Sequence, residues 1–246
     1  MRFLPLAILC LLFSPLLALN DGESLDFSIN YGVIHAGNVH MSVNASVWQD
    51  SIATYNIVSE AKTTKFFDKL FKVRDLIDIE FSQLDFQSFR YHKQLREGGY
   101  RQNRINYYYP DLGYALLFKK DKKSTKWKEK SFDVPNPSRD IFTTFFMVRE
   151  MDFAVGDTIS VTVSEDGRNT PVNIVIHRIK KMDTIFGKID CYELEPQLKG
   201  TDSIFKQSGD IYIYLTADER KVPVLLQSQV IFGKFKAILK GYNPGN

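Results

Sequence analysis

The side chains that could carry chemistry are four histidines, one cysteine outside the leader-like start, and two close glutamates. His35, His40, His92 and His177 show neither His-x-His nor His-x-x-x-His spacing, and Cys-x-x-Cys is absent, so no metal site is expected. Glu193 and Glu195 share a strand face at i, i+2. A glycosidase needs two carboxylates facing a sugar cleft, and spacing alone supplies no cleft. The chain has no Gly-x-Ser-x-Gly elbow, P-loop or dinucleotide fingerprint. Cys191 sits among Ile189, Tyr192 and Leu194, the setting of a buried, inert thiol. His177 is the nearest base in sequence, and nothing in the spacing brings the two together. Hydrolysis is the least supported function, and neither a catalytic residue nor a cofactor is expected.

Two other sets of residues suit binding. Phe142, Phe145 and Phe146 crowd one short stretch, each worth roughly 1.5–3 kcal/mol on burial. Arg74, Arg90, Arg96, Arg101, Arg104 and Arg149 lie in or beside apolar segments. A guanidinium reads carboxylates and phosphates through a planar fork. Pairing with Asp75, Glu97 or Asp140 is the structural expectation for these arginines. The binding expectation is a ligand site walled by Phe142, Phe145 and Phe146. Arg149 would then meet a head group at the mouth, joined by Arg74 and Arg96. The competing expectation is that the phenylalanines simply fill the core.

These residues must be positioned by one helix and many strands. Asn136 as N-cap and Pro137 at the first helical position predict a helix over 137–150, with Gly156 just past its end. Ile141, Phe142, Phe145, Phe146 and Val148 give it an apolar stripe. Elsewhere the period is two: Leu25, Phe27, Ile29, Tyr31 and Val33 alternate with polar residues, as do Val39, Met41, Val43, Ala45 and Val47. Further strands are read at 52–61, 77–82, 86–96 and 100–109, and beyond the helix from 159 to 242. Residues 63–71 suggest a short amphipathic helix, and 114–132 a hairpin whose tip carries a lysine run beside Trp127. That run suits either a solvated hairpin or contact with anionic lipid or glycan. The whole is mainly β: an antiparallel curved sheet or barrel of about twelve strands with one principal helix.

Residues 1–18 read as a secretory signal peptide, with Arg2 as the positive start and an apolar run behind it. Residues 19–246 then form a single β-rich domain, with no later stretch long enough for a membrane helix. Cleavage rather than lipidation is expected, because Cys10 lacks the small residues a lipoprotein signal places before its cysteine. A net charge of +3 is too small for a nucleic-acid binder.

Five stretches in order resemble one family: Tyr31 to Gly37, Val73-Arg74-Asp75, Arg96 to Tyr100, Asp140-Ile141 leading to Val148-Arg149, and Tyr214 to Val224. The chain is similar to the exported bacterial family of domain of unknown function 3108. The resemblance implies one exported β-rich domain and brings no catalytic residues. The expected function is that of a non-enzymatic protein of the periplasm or cell envelope, binding an apolar or amphipathic ligand such as a lipid. The alternative is a structural or assembly protein contacting other envelope proteins.

Overall fold

The alternation read from residue 25 onward starts one pair earlier in the structure: the first strand buries Glu23, Leu25 and Phe27 along one face. The structure is a computed structural model that describes residues 19–121, 126–198, 211–230 and 233–246. The strands are β1 (Glu23–Tyr31), β2 (Ile34–Trp48), β3 (Ile52–Thr63), β4 (Arg74–Ser82), β5 (Ser88–Glu97), β6 (Tyr100–Tyr109), β7 (Tyr114–Asp121) and β8 (Lys128–Asp133). After helix α1 (Ile141–Glu150) come β9 (Thr158–Glu165), β10 (Arg168–Thr184), β11 (Gly187–Leu198), β12 (Ile211–Thr216), β13 (Pro223–Val230) and β14 (Gly233–Pro244). The leader expected over 1–18 lies outside the described residues, as does the tip of the lysine hairpin at 122–125. No helix among the described residues is long and apolar enough to cross a membrane.

The fourteen strands among the described residues form one antiparallel sheet in the order β8-β7-β6-β5-β4-β3-β2-β1-β14-β13-β12-β11-β10-β9. Each strand pairs with its sequence neighbours except that β8 and β9 do not pair, and β1 pairs with β14, so the first and last strands meet mid-sheet. The count exceeds the expected twelve or so. Both arms of the lysine hairpin pair, from Tyr114↔Asp133 to Lys119↔Lys128, although β8 carries charges at Lys128, Glu129, Lys130 and Asp133.

The sheet is not closed by strand pairing; β8 and β9 are its edges. Side chains bridge the two wings instead. Tyr108 Oη donates to Ser164 O at 2.7 Å, and Asn169 Nδ2 donates to Asp133 O at 2.8 Å. Lys93 pairs with Glu165 and Arg104 with Asp166 across the same seam. The core divides accordingly. One cluster holds Ile57, Ile79, Phe81 and Tyr91 of the β2–β8 wing, and another holds Ile159, Val172, Ile174 and Leu194 of the β9–β12 wing. Helix α1 serves both, giving Phe146 to the first and Val148 to the second.

The helix begins four residues later than its sequence predicts. Asp140, not Asn136, is the N-cap, its Oδ1 accepting from Phe142 N at 2.8 Å and Thr143 N at 3.0 Å. The residues before it are tied to strands. Ser138 O accepts from Ser88 N at 2.9 Å and Arg139 O from Ser164 N at 2.8 Å, so these carbonyls are not free to start a helix. The short helix predicted over 63–71 is also reduced, to a single 3-10 turn at Phe67–Lys69 with no buried residue.

Candidate binding cavity

One face of α1 borders a cavity. Ile141, Phe142, Thr144, Phe145 and Val148 line it from the helix, and Phe27, Met41, Val172, Ile213 and Leu226 are among the residues opposite. Its volume is about 270 Å³. At about 30 Å³ per water-sized group, that is room for roughly nine such groups. Thr144 carries the single hydroxyl among the lining side chains. That hydroxyl is already spent, because Oγ1 donates to Asp140 O at 2.8 Å. The wall therefore offers no charge and no open hydrogen-bonding side chain. What it can do is bury hydrocarbon, at roughly 25 cal/mol per Å².

The expected ligand residues separate. Phe142 and Phe145 line the cavity. Phe146 does not; it is fully buried against β4, its ring 6.5 Å from that of Phe81. One helical step of about 100° from Phe145 turns Phe146 away from the cavity and onto Phe81. Arg149 is not at a mouth. It is fully buried, with Nη2 2.7 Å from Glu23 Oε1 and Nε donating to Lys221 O at 3.2 Å. Burial pushes the Glu23 carboxyl above its ordinary range, and the Arg149 charge opposes that shift. Arg74 grips Asp68 with both guanidinium arms, at 3.0 and 2.6 Å, in the β3–β4 connection. Arg96 is exposed on β5, its backbone N–H donating to Asp75 Oδ1 at 2.8 Å. Neither of these two lines the cavity.

The remaining arginines also choose partners other than those expected. Arg90 takes Asp78 with both arms at 2.9 Å, and Arg104 takes Asp166. Asp140 meets no arginine; its Oδ2 accepts from Ser88 Oγ at 2.8 Å and Thr143 Oγ1 at 2.7 Å. Glu193 and Glu195 are each taken up by cross-strand partners. Tyr214 Oη donates to Glu193 at 2.9 Å, and His177 Nε2 lies 2.7 Å from Glu195 Oε2. No cluster of three or more metal-ligating side chains occurs among the described residues. Cys191 is buried, and desolvation pushes its thiol up to about 11.

The residue that sequence reasoning missed is Glu23. Its signal was present: it continues the inward face of Leu25 and Phe27 by one step, where an acid is out of place without a buried cation.

The family model described as protein of unknown function, DUF3108, matches residues 26–240. The chain belongs to the DUF3108 family. No curated protein matches it. Among solved structures it is similar to a beta-barrel-like protein of domain of unknown function DUF1849 from Brucella abortus, at 8% identity and a TM-score of 0.58. That match covers 91% of this chain and 98% of the other, and it shows a shared fold. A protein with a YmcC-like fold from Bacteroides fragilis matches at 9% identity and a TM-score of 0.37, covering 91% of this chain and 96% of the other. Four of the five stretches on which the DUF3108 resemblance rests meet in pairs. Arg149 of the helix stretch donates to Lys221 O at 3.2 Å and Arg220 O at 3.5 Å in the stretch from Tyr214 to Val224. Val73 bridges to Glu97, and Arg96 N–H reaches Asp75. These DUF3108 motifs fasten the helix and the β3–β4 connection to the sheet.

Proposed function

We propose that this DUF3108 chain is an exported, non-enzymatic envelope protein that holds a single apolar chain in the cavity beneath α1. The observation that carries the reading is the wall itself: Phe142, Phe145, Val148 and their neighbours border about 270 Å³ with no open polar side chain. Soluble ligand sites are mostly apolar clefts near this size, with a few polar groups fixing orientation. Here no such group is offered, so the occupant is recognised by its hydrocarbon. One chain of roughly eight to ten carbons fills the space, at about 30 Å³ per group. Any polar head stays outside. Export follows from the leader read over residues 1–18.

The test is native mass spectrometry of protein purified from its own envelope, with solvent extraction alongside. A small apolar passenger at up to one equivalent supports the reading. Protein that never carries or takes up an apolar molecule refutes it.

A further inference from the structure

The β1–β2, β3–β4, β5–β6 and β7–β8 connections all leave the sheet along one margin, as the register of antiparallel neighbours requires. The β3–β4 connection touches its neighbours: Thr64 N donates to Ala36 O of β2 at 2.9 Å, and Gly98 N of the β5–β6 connection to Lys72 O at 2.7 Å. The β3–β4 connection is the most unusual of them. Phe66, Leu70 and Phe71 stand 63%, 71% and 54% exposed, where a core-facing turn would bury them. Lys65, Lys69 and Lys72 are exposed between them, and none has an ion-pair partner among the described residues. The one acid of the segment, Asp68, is held by Arg74 and by Thr63 Oγ1 at 2.6 Å. The neighbouring connections continue the character with Tyr100, Arg101, Lys126 and Trp127, all exposed.

The opposite margin shows that exposed apolar residues alone do not make this pattern. Leu84 and Leu112 are 93% and 69% exposed there, but beside them stand exposed Asp50, Asp85 and Asp111. Around Leu84 and Leu112 the exposed charges are acidic, whereas the β3–β4 connection joins three exposed apolar side chains to Lys65, Lys69 and Lys72. That combination suits a surface with an anionic layer over hydrocarbon: binding scales with buried apolar area plus attraction to anionic lipid. We propose that residues 65–72 dock this protein onto an anionic lipid bilayer, with Phe66, Leu70 and Phe71 entering the head-group region and Lys65, Lys69 and Lys72 meeting phosphates. The docking surface is separate from the cavity, and either can fail without the other.

The experiment is co-sedimentation of the full chain with vesicles of phosphatidylglycerol and phosphatidylcholine in equal parts, against pure phosphatidylcholine. The parent should pellet with the anionic vesicles and be released by salt, which screens exposed charges. Each lysine near an anionic surface is worth about fivefold, so Lys65→Glu/Lys69→Glu/Lys72→Glu should weaken binding about a hundredfold or more. Phe66→Ser/Leu70→Ser should weaken it at low and high salt alike, and Leu84→Ser/Leu112→Ser should change nothing. All these positions are exposed, so thermal unfolding should match the parent in every variant. A parent that stays in the supernatant with anionic vesicles, or binds both vesicles equally, overturns the proposal. So does a triple-lysine variant that binds as the parent does.

Discussion

Glu23 and Arg149 meet at 2.7 Å with both side chains fully buried, one near the start of β1 and the other in the last turn of α1. Removing one partner strands a buried charge, so Glu23→Ala and Arg149→Ala should each cost about 3–5 kcal/mol of stability in urea unfolding. Glu23→Leu/Arg149→Met should recover most of that loss, because an apolar pair leaves no charge to desolvate. Arg149→Lys should not, since a lysine cannot reproduce the fork that also reaches Lys221 O and Arg220 O.

Adjacent phenylalanines should behave differently. Phe146→Ala empties a packed site against Phe81 and should cost about 3–5 kcal/mol. Phe145→Ala enlarges a space that already exists and should cost clearly less, while loosening retention of any apolar passenger. Paired urea titrations measure the difference, and equal losses would make both residues simple core.

Asp140 should matter out of proportion to its size. It caps α1 through two backbone N–H groups and also accepts from Ser88 and Thr143 hydroxyls. Asp140→Ala should cost about 2 kcal/mol or more, from the lost cap and the hydroxyls left unpaired in the interior. Asn136→Ala should cost little, because Asn136 caps nothing. Thermal unfolding of the two variants side by side is the check.

Cys191 should be silent in the native state. Its thiol lies at about 11 because burial disfavours the thiolate. At pH 8 the folded protein lacking residues 1–18 should consume almost no thiol reagent, and one equivalent should react once guanidinium unfolds it. Rapid labelling of the native protein would show that the sheet opens around β11.

The sheet was legible because burial on one face writes itself as alternation, as in Leu25, Phe27 and Val43. The stretch Phe142 to Phe146 was legible as helix for the same reason at a period of 3.6. What alternation does not carry is register. Arg90 finds Asp78 on the neighbouring strand, and Arg149 finds Glu23 across 126 residues. Neither partner can be chosen without knowing which strands lie side by side. The helix start was obscured because Asn136-Pro137 has the chemistry of a cap, while the backbone beyond it is claimed by Ser88 and Ser164. The same limit applies to the cavity: spacing placed three phenylalanines on one helix, but only packing decides that Phe142 and Phe145 face the space and Phe146 the core.

The most direct measurement is calorimetric titration of solvent-extracted protein with decanol, run beside an Ile213→Trp variant that fills the cavity from the β12 wall. The account predicts uptake near one equivalent by the parent, with the negative heat-capacity change of apolar burial. It predicts none by the variant, with thermal unfolding at or above the parent's. A parent that takes up no decanol, or a variant that binds it as well as the parent, would contradict the claim that the space beneath α1 is a binding site.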